Sequence, residues 1–279
     1  MNNVLSVDVE DYFHVAALSE TIKVDDWSGI TPRVEANTRR LLDLFDRHNV
    51  KATHFVLGWV AERFPGLVRE IDARGHEVAS HGYSHQLVYE QTPEVFREET
   101  VKSKSILEDT LGKPVTGYRA ASYSITKKSL WALDILSELG FKYDSSIFPI
   151  RHDRYGIPDA EALPHKLLTP NGNEIVEFPL TTSSLYGVKM PAAGGGYFRL
   201  YPYAFSKYLL SKVQKTKKPI VFYLHPWEID DAQPRVKVSV LSTFRHYNNL
   251  DKCEPRLERL LNDFAFTTME ESLRNQALI

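Results

Sequence analysis

The sequence predicts an α/β protein built on a parallel β-sheet. Short apolar runs alternate with helical patterns up to about residue 144, and this alternation is typical of parallel strands joined by right-handed crossovers. Polar residues follow several of the apolar runs, and in an α/β barrel the carboxyl ends of the strands carry the active site. Because the 279 residues contain no repeat or clear linker, a single domain over residues 1–279 is expected.

The strands are predicted from short runs of apolar and β-branched residues that end in turn-forming or charged residues. The first run begins almost at the first residue, with Val7 and Val9 on one face and Asp8 on the other. In chain order, the predicted strands are residues 4–9, 51–57, 77–80, 115–119, 141–144, 174–178 and 220–224.

The helices are predicted from apolar residues at helical spacing and from capping residues. Thr92 and Pro93 begin one helix, Pro65 interrupts another, and Gly75 and Gly140 end two of them. The predicted helices are residues 33–48, 59–74, 92–111, 129–139, 203–213 and 241–264. From about residue 230 to residue 279 the chain is therefore expected to form a helical C-terminal extension.

Composition narrows the class of protein. A formal net charge of -2 gives no reason to expect nucleic-acid binding or attraction to an anionic membrane. The single cysteine, Cys253, excludes an intrachain disulfide. Residues 1–8 lack the pattern of a signal peptide, and no apolar run is long enough to span a bilayer. A cytoplasmic protein without a transmembrane segment is the expectation.

Two histidines point to a metal site. His81 and His85 are four residues apart, a spacing that brings both imidazoles to one side of a helical turn. Neutral imidazole is a common ligand of divalent transition metals. Two histidines cannot hold zinc alone, so the hypothesis needs a third ligand, for which a carboxylate is expected. The alternative is a pair of histidines that serve only packing or the surface.

A group of carboxylates at the end of the first predicted strand could supply that ligand. Asp8, Glu10 and Asp11 lie within four residues, and strand alternation places Asp8 and Glu10 on the same side. Such a group repels itself unless a cation or a chemical task balances it. A polar turn after a strand explains the same residues equally well.

Further polar residues follow later strands. Arg119 ends the fourth predicted strand, Asp144 ends the fifth, and His225 follows the apolar strand at 220–224. The less periodic region 148–196 ends in three glycines without the lysine of a phosphate-binding loop. We interpret these glycines as a loop that lines a groove together with Tyr197 and Arg199.

These motifs, in this order, resemble those of the NodB-homology polysaccharide deacetylases, which form carbohydrate esterase family 4. The resemblance covers nearly the whole chain and rests on Ser6-Val7-Asp8-Val9-Glu10-Asp11, His81-x-x-x-His85, Arg119-Ala120-Ala121, Asp144-Ser145-Ser146 and Leu224-His225-Pro226. Residues 7–13, 143–149, 224–229 and 244–247 are most similar to the branch found in exopolysaccharide loci of the exosortase type.

The resemblance implies a distorted (β/α) barrel that removes N-acetyl groups from a sugar polymer with one divalent metal ion, for which zinc is expected. His81 and His85 would bind the metal together with Glu10 or Asp11. Glu10 shares a side with Asp8, whereas Asp11 matches the family's usual residue type. If neither binds, Asp8 itself becomes the ligand. Otherwise the family pattern makes Asp8 the general base.

The resemblance implies the other roles as well. His225 would be the general acid that protonates the leaving amine, and Arg119 would orient Asp8 or stabilise the oxyanion. Asp144 would orient an arginine or the acid histidine, unless it only caps a turn. The predicted substrate-binding residues are Tyr123, Trp227, Tyr197 and Arg199, although Trp227 also fits a core position. The family's Arg-Pro-Pro-Tyr is replaced by Arg-Ala-Ala-Ser-Tyr at 119–123, which leaves the oxyanion-binding amide open.

The expected substrate is a cell-surface or exported polysaccharide with N-acetylhexosamine units, or its lipid-linked precursor. Association with a membrane machinery for exopolysaccharide synthesis is a further expectation. Two alternatives remain within hydrolases, a cyclic amidase of the allantoinase type and a peptidoglycan hydrolase. A third is an inactive homologue that only binds carbohydrate. The presence of Asp8, His81, His85, Arg119 and His225 argues against this last alternative.

Overall fold

A computed structural model describes residues 3–152 and 154–279. Met1 and Asn2, which belong to the stretch inspected for a signal peptide, lie outside the described residues. The strands are β1 (Asn3–Val9), β2 (Thr53–Val56), β3 (Glu77–Ser80), β4 (Gly117–Tyr118), β5 (Tyr143–Asp144), β6 (His165–Leu168), β7 (Glu174–Glu177), β8 (Thr182–Leu185), β9 (Val188–Pro191), β10 (Val221–Leu224) and β11 (Phe266–Thr267).

The α-helices lie between these strands and after β10. They are α1 (Val34–Arg47), α2 (Gly58–Arg63), α3 (Pro65–Ala73), α4 (Pro93–Leu111), α5 (Trp131–Glu138), α6 (Gly195–Leu200), α7 (Tyr203–Lys215), α8 (Val240–Tyr247), α9 (Cys253–Asp263) and α10 (Met269–Arg274). No helix within the described ranges is both long and apolar enough to cross a membrane.

The main sheet has the strand order β10-β1-β2-β3-β4-β5-β7-β6, and β11 also pairs with β1. Its pairs are parallel except for β6 with β7. A short antiparallel hairpin of β8 and β9 stands apart. In the described part of the chain, the two end strands of this order, β10 and β6, do not pair with each other. The predicted α/β fold with a distorted barrel is confirmed.

Both faces of the parallel strands are covered, as expected for such a sheet. β1 is buried along its whole length. Outward-facing apolar residues of β1 pack with the helices in the larger core. Inward-facing Val4 and Phe55 pack against Met269 and Leu273 of α10. The amino-terminal end of the barrel is therefore filled by apolar side chains, and the polar residues collect at the opposite end.

Two predicted elements have different bounds in the structure. The helix expected over 241–264 is two helices, α8 and α9, and between them Asn249 has a left-handed conformation (φ 51°). The strand expected over 115–119 is reduced to Gly117 and Tyr118. A Cβ at Gly117 would lie 2.1 Å from the hydroxyl of Tyr143, so glycine is required where these two strands meet.

Candidate active site

The carboxyl ends of the strands surround a cavity of about 440 Å³. Residues from nearly all parts of the chain line it, among them Asp8, Glu10, His81, His85, Tyr123, Tyr197, Arg199, His225 and Trp227. The structure thus brings together most of the polar residues predicted from the sequence. Asp11, Arg119 and Asp144 are not among the lining residues.

Three of these residues could hold a metal ion. Glu10, His81 and His85 each offer one ligand atom, and the three atoms lie within 4.8 Å of one another. Nδ1 of His81 lies 2.8 Å from the carbonyl oxygen of Arg119. Because a carbonyl only accepts, Nδ1 carries the proton and Nε2 keeps its lone pair for a metal.

The environment of Glu10 fits a bound cation. Its Oε2 lies 2.7 Å from Nε2 of His85, yet among the described residues it has no well-directed hydrogen bond. Burial raises the pKa of Glu10, but the charges of His85, His225 and His81 outweigh burial and lower the pKa below its usual range. Burial also lowers the pKa of His81 to about 4. A carboxylate beside two neutral imidazoles is a donor set suited to zinc.

Asp11 faces a different part of the molecule. Its Oδ1 accepts a hydrogen bond from the amide of Tyr12 at 2.8 Å, and its Oδ2 accepts from the amides of Arg33 at 2.5 Å and Val34 at 2.7 Å. Both oxygens are therefore occupied at the start of a short 3₁₀ helix and of α1. Between the two carboxylates considered as third ligand, the geometry favours Glu10.

The histidine pair does not lie on a helical turn. Residues 81–87 form a loop after β3, and His85 has a left-handed backbone conformation (φ 56°). The ring centroids of His81 and His85 are 5.3 Å apart. The helical turn inferred from the four-residue spacing is wrong, although both side chains do reach one point.

Asp8 is paired with a fully buried arginine. Nη1 of Arg119 donates to Oδ1 of Asp8 at 2.7 Å and to Oγ of Ser6 at 2.9 Å. On its other side, Arg119 donates to the carbonyl and hydroxyl oxygens of Ser145, both at 3.1 Å. Planar guanidinium groups with several fixed acceptors have one orientation, so Arg119 fixes the Asp8 carboxylate. Tyr123 donates to the other oxygen of Asp8 at 3.4 Å.

His225 lies opposite, next to both carboxylates of β1. Its Nε2 is 3.8 Å from Oδ2 of Asp8 and 3.5 Å from Oε1 of Glu10, while its Nδ1 is 2.7 Å from Oε1 of Glu228. Burial lowers the pKa of His225, but the hydrogen bond to Glu228 and the charges of Glu10, Glu228 and Asp8 outweigh it and raise the pKa to about 9.

Asp144 supports the loop beside Arg119. Its carboxylate accepts from the hydroxyl of Ser146 at 2.6 Å and from the amide of Ser146 at 3.1 Å. The same hydroxyl accepts from the amide of Ala120 at 2.8 Å. Among the described residues, Asp144 makes no hydrogen bond to Arg119 or His225. Its contacts are those of a turn cap, the second of the two interpretations given above.

Asp144 also forms a buried carboxyl pair with Glu177. Burial raises the pKa of Asp144 to about 6, and burial together with the charge of Asp144 raises the pKa of Glu177 well above its usual range. The folded protein therefore holds protons that the unfolded chain releases above about pH 4. The stabilising contribution of the pair is complete at low pH and is lost as pH rises through 6.

Glu177→Gln should remove this dependence, because a glutamine amide donates to Asp144 without a titrating proton. We expect the free energy of unfolding to rise relative to the native protein, by about 1 kcal/mol or more at pH 8 and by less at pH 5. Urea unfolding at the two pH values measures this. Glu174→Gln, an exposed change in the same strand, is the control. Equal pH dependence in Glu177→Gln and the native protein would contradict the paired-carboxyl interpretation.

The residues predicted to bind substrate have different environments. Tyr123 and Tyr197 line the cavity. Trp227 is buried, donates from Nε1 to Oε1 of Glu10 at 3.2 Å, and stacks between His225 and His246. Arg199 is only 2% exposed and pairs with Glu228. Trp227 and Arg199 therefore contact the candidate site from behind.

Sequence reasoning missed Glu228 and Ser145. Glu228 follows His225 by three residues in the short 3₁₀ helix Pro226–Ile229, so its spacing was a signal that could have been used. Ser145 lies inside a quoted motif but was given no role, because a serine after a strand carries no distinctive pattern.

Comparison with known protein families matches two parts of the chain. Residues 21–143 match the model described as "Polysaccharide deacetylase", and residues 145–274 match "Domain of unknown function (DUF3473)". The two matched segments meet beside Asp144 and together contain most of the candidate site. Asp8 and Glu10 precede both.

Curated relatives match the amino-terminal part most of all by name. A peptidoglycan deacetylase of Helicobacter pylori is 34% identical over 113 residues, which cover 40% of this chain and 38% of that protein. A chitooligosaccharide deacetylase of Bradyrhizobium is 29% identical over 100 residues, covering 36% of this chain and 43% of that protein. The chain thus spans less than half the length of each of these relatives.

Solved structures share the fold over nearly the full length. A polysaccharide deacetylase homologue from Mycobacterium smegmatis has a TM-score of 0.63 at 20% identity and covers 100% of this chain and 92% of that one. Puue allantoinase has a TM-score of 0.60 at 18% identity and covers 97% and 88%. At these identities the likeness concerns the fold alone. The family-model match over residues 21–143 and the curated deacetylases support the NodB-homology polysaccharide deacetylase family for this chain.

Proposed function

We propose that this protein is a metal-dependent hydrolase that removes N-acetyl groups from N-acetylhexosamine units of a polysaccharide or its precursor. The observation that carries this proposal is the meeting of three kinds of group at one cavity. These are a His-His-carboxylate set, an arginine-bound aspartate and a histidine backed by a glutamate. The names of the matched family and relatives point to the same reaction.

Glu10, His81 and His85 would hold one divalent ion, with zinc as the proposed metal. When bound, such an ion polarises a carbonyl and lowers the pKa of a water molecule. Trp227 supports this set, because its indole N–H donates to Glu10 and limits how the carboxylate can rotate.

Asp8 would take the proton of the attacking water as general base. Arg119 holds its Oδ1, so Oδ2 is the oxygen that faces His225 and the cavity. Arg119 itself is fully buried. We therefore assign it the orientation of Asp8 and not direct contact with an oxyanion.

His225 would donate the proton from Nε2 to the amine as the C–N bond breaks. An amine leaves poorly as an anion, so this step needs an acid. Nε2 is the ring nitrogen that faces Asp8 and Glu10, whereas Nδ1 is engaged by Glu228. Base and acid therefore lie on adjacent sides of the same space.

We further propose that residues 1–279 act as one deacetylase unit with residues 230–279 as its extension. The two segments matched by family models share one sheet, since β5 pairs with β7 and β10 pairs with β1. The extension contributes β11, which also pairs with β1, and α10, which fills the barrel end.

The cavity mouth supports a lipid-linked precursor or an exported polysaccharide assembled at a membrane. Leu200, Leu241 and Phe244 line the cavity and are exposed. Arg154 and Arg245 line the same cavity and are exposed as well. Apolar and cationic groups beside a sugar site fit a substrate that carries an alkyl chain and a phosphate. Work with a membrane machinery for exopolysaccharide synthesis is part of this proposal.

The test is acetate release by the purified, zinc-loaded protein from N-acetylglucosamine oligomers, free or attached to a polyprenyl diphosphate. We expect free amine and acetate in equal amounts, and no release after chelation of the metal. Peptidoglycan fragments and allantoin, offered in parallel, test the related hydrolases. Binding of the oligomers without acetate release would instead support the inactive carbohydrate-binding homologue.

A further inference from the structure

A buried row of charged groups stands behind His225. Oε1 of Glu228 accepts from Nδ1 of His225 at 2.7 Å and from the backbone amide of His225 at 3.1 Å. The other oxygen of Glu228 accepts from Nε of Arg199 at 2.5 Å. The side chains of Glu228 and Arg199 are 1% and 2% exposed. Glu228 thus has both oxygens engaged and a single possible orientation.

Arg199 is held from the opposite side by the end of α8. Its Nη1 donates to the carbonyl oxygens of His246 at 2.8 Å and Asn248 at 2.9 Å, and its Nη2 donates to that of Arg245 at 3.1 Å. A cation at the carboxyl end of a helix satisfies carbonyls that have no partner within the helix. Four of the five N–H groups of Arg199 are directed at protein acceptors, so its role is to anchor Glu228.

We propose that Glu228 and Arg199 are positioning residues for His225 in the deacetylation reaction, an inference that rests on the proposed function. A carboxylate only accepts, so Glu228 keeps a proton on Nδ1 and turns Nε2 toward the cavity. Water attacks the acetyl carbon and gives its proton to Asp8. The C–N bond breaks as Nε2 gives its proton to the amine, and Nδ1 keeps its own proton throughout.

This arrangement gives the segment matched by the domain of unknown function a specific part in catalysis. Arg199, His225, Glu228 and the carbonyls at 245–248 all lie within residues 145–274. The base and the carboxylate ligand come from β1, and the histidine ligands follow β3. The carboxyl-terminal segment therefore supplies the acid half of the site together with the residues that orient it.

Glu228→Gln separates positioning from a merely structural role. Arg199 still requires an acceptor, so the glutamine carbonyl should turn to Arg199 and its NH₂ should face Nδ1 of His225. Nδ1 must then accept, and the imidazole is held in the wrong tautomer. We expect hydrolysis of an N-acetylglucosamine oligomer to fall about 100-fold or more. Hydrolysis of 4-nitrophenyl acetate should stay nearly unchanged, because nitrophenolate leaves without protonation.

Two further variants sharpen the measurement. Arg199→Lys keeps the charge but loses the fork that holds the carbonyls, so its ratio of amide to ester hydrolysis should lie between those of the native protein and Glu228→Gln. Asp230→Asn is the matched control. It neutralises a nearby carboxylate that pairs with Arg33 and not with His225, so its ratio should equal that of the native protein. Zinc content is measured in every variant.

The tautomer of His225 provides a second readout that needs no turnover. ¹⁵N NMR of histidine-labelled protein should find the proton on Nδ1 in the native protein and on Nε2 in Glu228→Gln. An unchanged tautomer, or equal losses of amide and ester hydrolysis, would overturn the inference. A native protein that releases no acetate from any amide would contradict the proposed function instead, and the tautomer would then decide the inference.

Discussion

Asp8→Asn should leave the protein folded and loaded with metal but slow acetate release by about 10²- to 10⁴-fold, the contribution of a general base. Asparagine keeps an oxygen that can accept from Arg119, so the buried guanidinium retains a partner. It cannot take up the proton of water. The kcat for an N-acetylglucosamine oligomer and the zinc content of the same sample measure the two expectations.

Glu10→Gln is the matched contrast to this variant, because it makes the same chemical change two residues further along the chain. Glu10 belongs to the proposed ligand set, so Glu10→Gln should lower zinc affinity and activity together. If Asp8→Asn lost its zinc and Glu10→Gln kept it, Asp8 would be the ligand and the assignment of the base would be wrong.

His81→Ala and His85→Ala should each lose metal and activity together. Removal of residues that only support a metal ligand costs about 10- to 100-fold in metal affinity, so removal of a ligand itself should cost more than about 100-fold. The expected measurement is zinc affinity by competition with a chelator, followed by acetate release at saturating zinc. Activity should return in part when zinc is raised.

His48→Ala provides the control for loss of a histidine. Its imidazole lies 3.6 Å from Glu258, far from the cavity residues in the fold, so zinc affinity and activity should match those of the native protein. Normal zinc content in both His81→Ala and His85→Ala would refute their assignment as ligands.

The sequence predicts the architecture of the site where the reasoning is local. Alternation along β1 places Asp8 and Glu10 on one side, and the polar residues that follow β1, β3, β4 and β10 do gather at one end of the sheet, because parallel strands end at the same edge. The periodic helices before residue 144 are also found close to their predicted bounds. These features depend on residues that are near one another in the chain.

The features that sequence reasoning missed depend on contacts between distant residues. Arg199 and Glu228 are 29 positions apart, and the carbonyls that hold Arg199 come from positions 46 to 49 further on. No periodic pattern marks such contacts, so Arg199 was interpreted as a groove residue. His85 reaches its partner through a left-handed backbone conformation, which a spacing rule for helices cannot anticipate.

A zinc titration of the apoprotein, with acetate release from an N-acetylglucosamine oligomer measured at each step, tests the central claim most directly. The account predicts no release without metal, a rate that rises in proportion to bound zinc, and saturation at one ion per chain. Acetate release by the metal-free protein would contradict it, as would one tightly bound zinc ion with no acetate released from any acetylated sugar.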